Sequence, residues 1–406
     1  MFKRIALISA VLALTVALGV TIAASTDALT KPSDLTVHEW GTFTTVADVD
    51  GKSAEWLPLG GPNDLPCFVN VFQNLLVKSV VRTTTINEPV LDYNKARAQL
   101  LGSVRMETPV LDFYSPRRQT AQVRVAFPQG FVTEWYPNAT VNQLPVRPSS
   151  LKAAKTGATI SWKNVEVLPL ATNPSLPQGA GRSHYYAARA TDANPIRMGN
   201  THEKFLFYRG VGNFPAPIHV TVNSEGKILV KHLTGKPSVI LFENQGGKLG
   251  YTSVDTSKNE ALLDPPALTD NFESLRAELE TVLIGQGLYK KEASAMIETW
   301  RDSWFEEGTR VFYIVPPQMV DTILPLTVTP KPAHVARVFV GRVEVITTAT
   351  VKTVENAIAA DDMKTLDAYG RFLGPIAKRI PDTKRVANLL NAALTKYANA
   401  SASCSK

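Results

Sequence analysis

The chain has 406 residues, with 43 Lys and Arg against 36 Asp and Glu, a formal charge of +7. Its 44% apolar and 19% charged residues exclude a disordered chain. Its length exceeds what one hydrophobic core usually organises, which points to two domains or one large domain with a helical appendage.

Lys3 and Arg4 precede an apolar and small-residue run from Ile5 to Ala24, the charge and hydrophobic order of a secretory signal over residues 1–25. Cleavage after Ala23 or Ser25 fits the small-residue rule. The run of about 20 residues also suffices to span a bilayer, so a retained N-terminal anchor stays open. The expected location is secreted or periplasmic. Outside the cytoplasm nucleic acid is excluded as a partner, and the basic excess suits a glycan or an anionic envelope component. Nine of the Lys and Arg lie beyond residue 350, against five Asp and Glu. The two cysteines, Cys67 and Cys404, are free to pair in an oxidising compartment, and their pairing stays open.

From about Leu35 to Val254 the pattern is β. Val123, Val125 and Phe127 alternate with polar neighbours, as do Ile218, Val220 and Val222, and turn signals such as Pro128-Gln129-Gly130 separate the runs. Short alternating strands at this spacing predict antiparallel sheets packed as a sandwich. Near Asp270 the period changes. A capping-box spacing from Asp270 to Glu273 precedes Phe272, Leu275, Leu279, Val282 and Leu283. A second helix from about Lys290 carries Ala293, Met296, Trp300 and Trp304 until Gly308, giving an αα-hairpin over 270–307. Strands are expected to return at Arg310–Val315, Asp321–Val328 and Val335–Ile346. A helical tail follows over 350–398, then a flexible terminus over 399–406. The predicted fold is mainly β with α: an antiparallel β-sandwich-like body over 35–348 with an inserted αα-hairpin and a C-terminal helical appendage.

The familiar motifs are absent. His38-Glu39 and His202-Glu203 begin like HExxH, but Thr42 and Leu206 occupy the fifth positions. Gly51-Lys52-Ser53 lacks the upstream glycine of a P-loop, and no GxSxG elbow occurs. No metal-ligand set and no cofactor is assigned.

Three stretches stand out. In Val37-His38-Glu39-Trp40-Gly41-Thr42-Phe43-Thr44, a strand places His38, Trp40 and Thr42 on one face and Glu39, Gly41 and Phe43 on the other. An imidazole beside an indole can line a ligand site, or the segment is an opening strand with Trp40 in the core. Pro177 to Arg189 gathers Arg182, His184, Tyr185, Tyr186 and Arg189 after a Gly-rich turn, groups suited to holding an anion. The alternative is a strand start with solvated arginines. Trp300 and Trp304, one helical turn apart, read as core packing of the hairpin. Glu107 and Glu134 are a further carboxylate pair for glycosidic chemistry. The catalytic candidates are His38, Glu39 and His184, and the ligand-binding candidates are Trp40, Arg182, Tyr185, Tyr186 and Arg189.

With Val37–Thr44, Arg105–Pro109 and Trp300–Phe305 as anchors, the chain resembles a group of uncharacterised secreted bacterial proteins. The resemblance implies a location outside the cytoplasm and carries no activity. Three functions follow from the residues: binding of an extracellular glycan or other polyanion through the Arg182–Arg189 loop; hydrolase or lyase chemistry by His38, His184 and a carboxylate; or an envelope structural or assembly role. The reading that distinguishes them is convergence of His38 and His184 on a common site.

Overall fold

A computed structural model describes residues 34–61, 65–72, 97–144, 151, 156–179, 182–232, 238–255, 258–381 and 383–402. The signal-like segment 1–25, Ala180, Gly181 and Cys404 lie outside them. The chain is mainly β, with 39% strand and 27% helix. No described helix is long and apolar enough to cross a membrane.

The strands, in chain order, are β1 (Thr36–Val46), β2 (Asn70–Val71), β3 (Val104–Tyr114), β4 (Gln119–Phe127), β5 (Gly130–Tyr136), β6 (Thr140–Gln143), β7 (Ala158–Val167), β8 (Ile196–Met198), β9 (Thr201–Glu203), β10 (Phe205–Gly212), β11 (His219–Val222), β12 (Ile228–Lys231), β13 (Ser238–Gln245), β14 (Lys248–Asp255), β15 (Glu260–Leu263), β16 (Gly308–Ile314), β17 (Leu326–Thr329) and β18 (His334–Val345). A nine-stranded sheet runs β14-β13-β16-β18-β1-β3-β10-β5-β2. A six-stranded sheet runs β17-β4-β7-β8-β9 with β6 beside β7, and β11, β12 and β15 form a small third sheet.

One core lies between the sheets. The alternation in β4 sends Ala121, Val123, Val125 and Phe127 inward, where they meet Ile160, Trp162 and Val165 of β7. Val37, Phe43, Leu111, Phe113, Leu206 and Tyr208 of the nine-stranded sheet close the same cluster. Helices cover the other side of that sheet: α1 (Phe272–Gly285), α2 (Lys290–Thr299) and the short α3 (Arg301–Trp304). Their Leu275, Leu279, Met296, Trp300 and Trp304 pack on Trp40, Val110, Phe207, Phe312 and Val338. Central β1 is therefore buried on both faces, and its polar side chains are forced inside with its apolar ones.

The strands after the hairpin join the body as expected: β16 and β18 lie inside the nine-stranded sheet. Two details differ from the sequence reading. β1 pairs with β18 in parallel, from Thr36 with His334 to Val46 with Glu344. The two strands stand at opposite ends of the body in sequence, so no tight turn dictates their direction. Part of the expected strand Asp321–Val328 is helix α4 (Pro317–Ile323), begun by a proline at its first position and sending Val320 into the core. Only Leu326–Thr329 is strand.

The tail forms α5 (Thr348–Ala360), α6 (Met363–Ala368), α7 (Leu373–Ala377) and α8 (Thr383–Ala402), with a 3-10 turn at Gly370–Phe372. It buries Val354, Leu366, Phe372 and Ile376 against Val46, Trp56 and Ile346 of the body.

Trp300 and Trp304 stack at 5.6 Å with planes 10° apart, and Trp304 is fully buried. The core role read from their spacing is what they have. Trp304→Ala is expected to cost about 3–5 kcal/mol by loss of burial and creation of a cavity, as measured by urea unfolding.

Candidate functional site

The register settles which polar residues share the helix-covered face. His38, Trp40, Thr42 and Thr44 of β1 lie beside Ala336, Val338, Val340 and Arg342 of β18. On the other flank they lie beside Asp112, Val110, Glu107 and Arg105 of β3. Polar groups collect at both ends of this face, with an aromatic patch between them.

At one end, His38 is 1% exposed and its Nδ1 lies 2.8 Å from Glu292 Oε2. Glu292 is the third residue of α2 and fully buried. Its Oε1 accepts from the Tyr114 hydroxyl at 2.7 Å, and its Oε2 also accepts from the Tyr289 backbone N–H at 2.7 Å. The carboxylate thus caps its own helix while receiving His38 and Tyr114 from the sheet, and the helix N-terminus favours its negative charge. A carboxylate only accepts, so Nδ1 is the donor, and the neutral ring carries its lone pair on Nε2. That Nε2 is buried and has no hydrogen-bond partner among the described residues.

Asp112, directly across from His38, accepts from Trp40 Nε1 at 3.0 Å, while its other oxygen meets no donor. Burial first, then the charge of Glu292, push the Asp112 pKa well above the usual range. The neutral form of Asp112 is thereby favoured. Tyr114 is likewise pushed up, by burial and then by Asp112 and Glu292. Rings enclose the imidazole: Tyr289 at 4.6 Å, Tyr114 at 5.3 Å and His334 at 5.8 Å. Tyr289, 48% exposed, forms the rim between this centre and solvent.

The other sequence candidates lie elsewhere. Glu39 points to the opposite face of β1, where it accepts from the Tyr208 hydroxyl at 2.6 Å and from Arg337 Nε at 2.6 Å. Trp40 is fully buried and meets Trp300 edge-on at 5.7 Å. Arg189 grips the buried Glu203 at 2.8 and 2.6 Å, and Tyr185 donates to the same carboxylate at 3.1 Å. Tyr186 accepts from the Gly179 N–H at 2.7 Å and lies under the Arg189 guanidinium at 4.9 Å. These groups hold the loop to itself, and of the binding candidates Arg182 alone is exposed. His184 contacts the far end of α2: Nδ1 lies 3.0 Å from the Glu298 carbonyl and Nε2 lies 2.5 Å from Asp302. His38 and His184 therefore meet one helix at Glu292 and Glu298, six residues or about 9 Å apart along its axis.

At the other end of the face, Glu107 and Glu134 are both buried among arginines. Glu107 pairs with Arg371 at 2.8 Å and Arg105 at 3.4 Å, and Glu134 pairs with Arg97. Burial opposes ionisation of Glu107, yet Arg371 and Arg105 hold it down to about 2. A carboxylate so held has no proton to give near neutral pH, so it is unsuited to the general-acid half of a glycosidic pair.

Cys67 is disulfide-bonded, which leaves it no thiol. Among the described residues no group of three or more His, Cys, Asp or Glu is arranged to hold a metal ion. Compared with protein-family models and with curated proteins, the chain shows no match.

Glu292, Asp112 and Tyr114 were not among the sequence candidates. The nearest signals were the position of Glu292 at the start of a predicted helix and the alternation that sets Asp112 and Tyr114 on one face of a strand. Asp112 has a measurable signature. Its folded pKa is raised, so its contribution is fully present below the ordinary value of 3.8 and is lost as pH rises toward the folded value. Asp112→Asn keeps an acceptor for Trp40 and gains an N–H for Glu292 without that loss. The stability of this variant relative to wild type is expected to climb between pH 4 and pH 7, as followed by denaturant unfolding across that range.

Proposed function

We propose that the protein is an extracytoplasmic enzyme that performs general acid–base chemistry, a hydrolase or lyase, with His38 as its base. The observation that carries this reading is the His38 imidazole, fixed at Nδ1 by a buried carboxylate and bare at Nε2. A purely structural histidine spends both nitrogens, because an unpaired buried polar atom costs about 1–3 kcal/mol. Here one nitrogen is oriented and the other is left for a proton.

In this role Nε2 takes a proton from water or from a substrate carbon, and the resulting imidazolium faces the Glu292 carboxylate, which offsets its charge. The same proton then passes to the leaving group, which returns the ring to its starting form. The raised pKa of Asp112 favours its neutral form, which adds no second negative charge beside Glu292. Tyr289 must swing aside to admit a substrate. The location outside the cytoplasm rests on the order of charge and apolar residues in segment 1–25.

Binding through the Arg182–Arg189 loop is the less supported reading, because Arg189 and Tyr185 are engaged with Glu203. Diethyl pyrocarbonate tests the preferred one, since it acylates an accessible imidazole nitrogen. Peptide mapping of the folded protein is expected to show His38 modified, and modified faster when Tyr289→Ala opens the rim. For any substrate turned over, His38→Gln is expected to lower the rate by about 10²–10⁴-fold. His38 left unmodified in both folded proteins, yet modified after unfolding, would rule the reading out.

A further inference from the structure

The opposite end of the same face holds a second unfinished polar arrangement, about 20 Å along β1 from His38. Arg105, Thr44 and Arg342 stand in register on three adjacent strands, roughly 5 Å from one to the next. All three are buried.

A comparison within the cluster shows what is missing. Arg310, fully buried on neighbouring β16, places its whole guanidinium. Its Nε and one Nη bond Glu344 at 3.0 and 3.4 Å, and its two Nη atoms reach the carbonyls of Trp304 (3.1 Å), Glu306 and Glu307 (2.7 Å). Arg342 is equally buried but uses one nitrogen only. Its Nη2 meets Glu306 at 2.8 Å and Glu344 at 3.5 Å, while Nε and Nη1 have no acceptor among the described residues. Arg105 donates from Nη1 to the Pro58 carbonyl, while its Nε has only the ion pair with Glu107 at 3.4 Å and no hydrogen bond among the described residues. The hydroxyls of Thr44 and of Thr42, two residues earlier on the same face, are buried and unpartnered as well. Buried groups of this strength are nearly always satisfied.

A roof covers the row. The Phe372 ring lies 4.6 Å from the Arg342 guanidinium and stacks on Trp56 at 5.4 Å, and Arg371 beside it reaches Glu107. The tail therefore closes this end of the face. Burial first, then neighbouring guanidinium groups, lower the pKa of Arg105 and of Arg342. Additional negative charge between them would relieve both. Water accepts hydrogen bonds but brings no charge, whereas an oxyanion supplies several acceptor lone pairs and the charge together.

We propose that Arg105, Thr44 and Arg342, under the Phe372 roof, form a binding site for a small oxyanion, a sulfate, a phosphate or the carboxylate of a compact molecule. The site does not depend on the chemistry at His38, and either proposal can fail alone.

The test uses the full chain. Calorimetric titration with sodium sulfate and with inorganic phosphate, at ionic strength matched by sodium chloride, is expected to show saturable binding of one anion per chain. Arg342→Gln is expected to weaken it by about 10–100-fold through loss of charge-assisted hydrogen bonds. Thr44→Val, which keeps the shape of the side chain, is expected to weaken it by a smaller factor. Crystals soaked in selenate give a readout that needs no variant: an anomalous peak between Arg105 and Arg342. Absence of saturable binding, binding unchanged by both substitutions, or only water between the two arginines in the selenate-soaked crystal would overturn the proposal.

Discussion

The arrangement of the helix-covered face depends on one buried carboxylate. Glu292 receives His38 and Tyr114 from the sheet and the N–H of Tyr289 from its own helix, and its charge raises the pKa of neighbouring Asp112. Taking a carboxylate out of water costs several kcal/mol, and only a full set of donors offsets that. The αα-hairpin cannot slide along the sheet without stripping this group of partners. The stacked Trp300 and Trp304 supply area, which tolerates small shifts, whereas the hydrogen bonds of Glu292 fix position. Orientation of His38 follows as a consequence of docking, so the catalytic reading and the packing of the hairpin are one constraint.

The two ends of the face solve the problem of buried polarity differently. At the His38 end, burial and the neighbouring Glu292 charge favour the neutral form of Asp112. At the other end, Arg371 and Arg105 hold Glu107 down to about 2 although burial opposes its ionisation. Apolar packing by Trp40, Val338 and Phe312 separates the ends and keeps them electrostatically distinct. A sheet buried on both faces is what permits this. On an edge strand the same residues would be solvated and would carry no such information.

Much of this was legible in the sequence. Period-two alternation in Val123–Phe127 and the helical spacing of Leu275, Leu279 and Leu283 identify elements, because burial on one face imposes a period. The division of β1 into a His38–Trp40–Thr42 face and a Glu39–Phe43 face also followed from the period of a strand. The partners of those faces did not. Glu292 is 254 positions from His38, and nothing local distinguishes it from a solvated glutamate at a helix start. Parallel pairing of β1 with β18 is likewise a property of the closed sheet, not of either strand. The Arg182–Arg189 loop shows the converse: local richness in arginine and tyrosine looked like a binding surface, but the groups satisfy one another and Glu203.

The role of Glu292 in orienting His38 shows in the tautomer of one ring. Long-range proton–nitrogen correlation NMR of the histidine rings, at a pH where His38 is neutral, reads it directly. The expected spectrum shows His38 protonated at Nδ1 with the lone pair on Nε2, and Glu292→Gln releases that preference. A His38 ring protonated at Nε2 in the wild-type protein would mean that Glu292 does not accept from it, and the claim that this carboxylate orients a catalytic base would be contradicted.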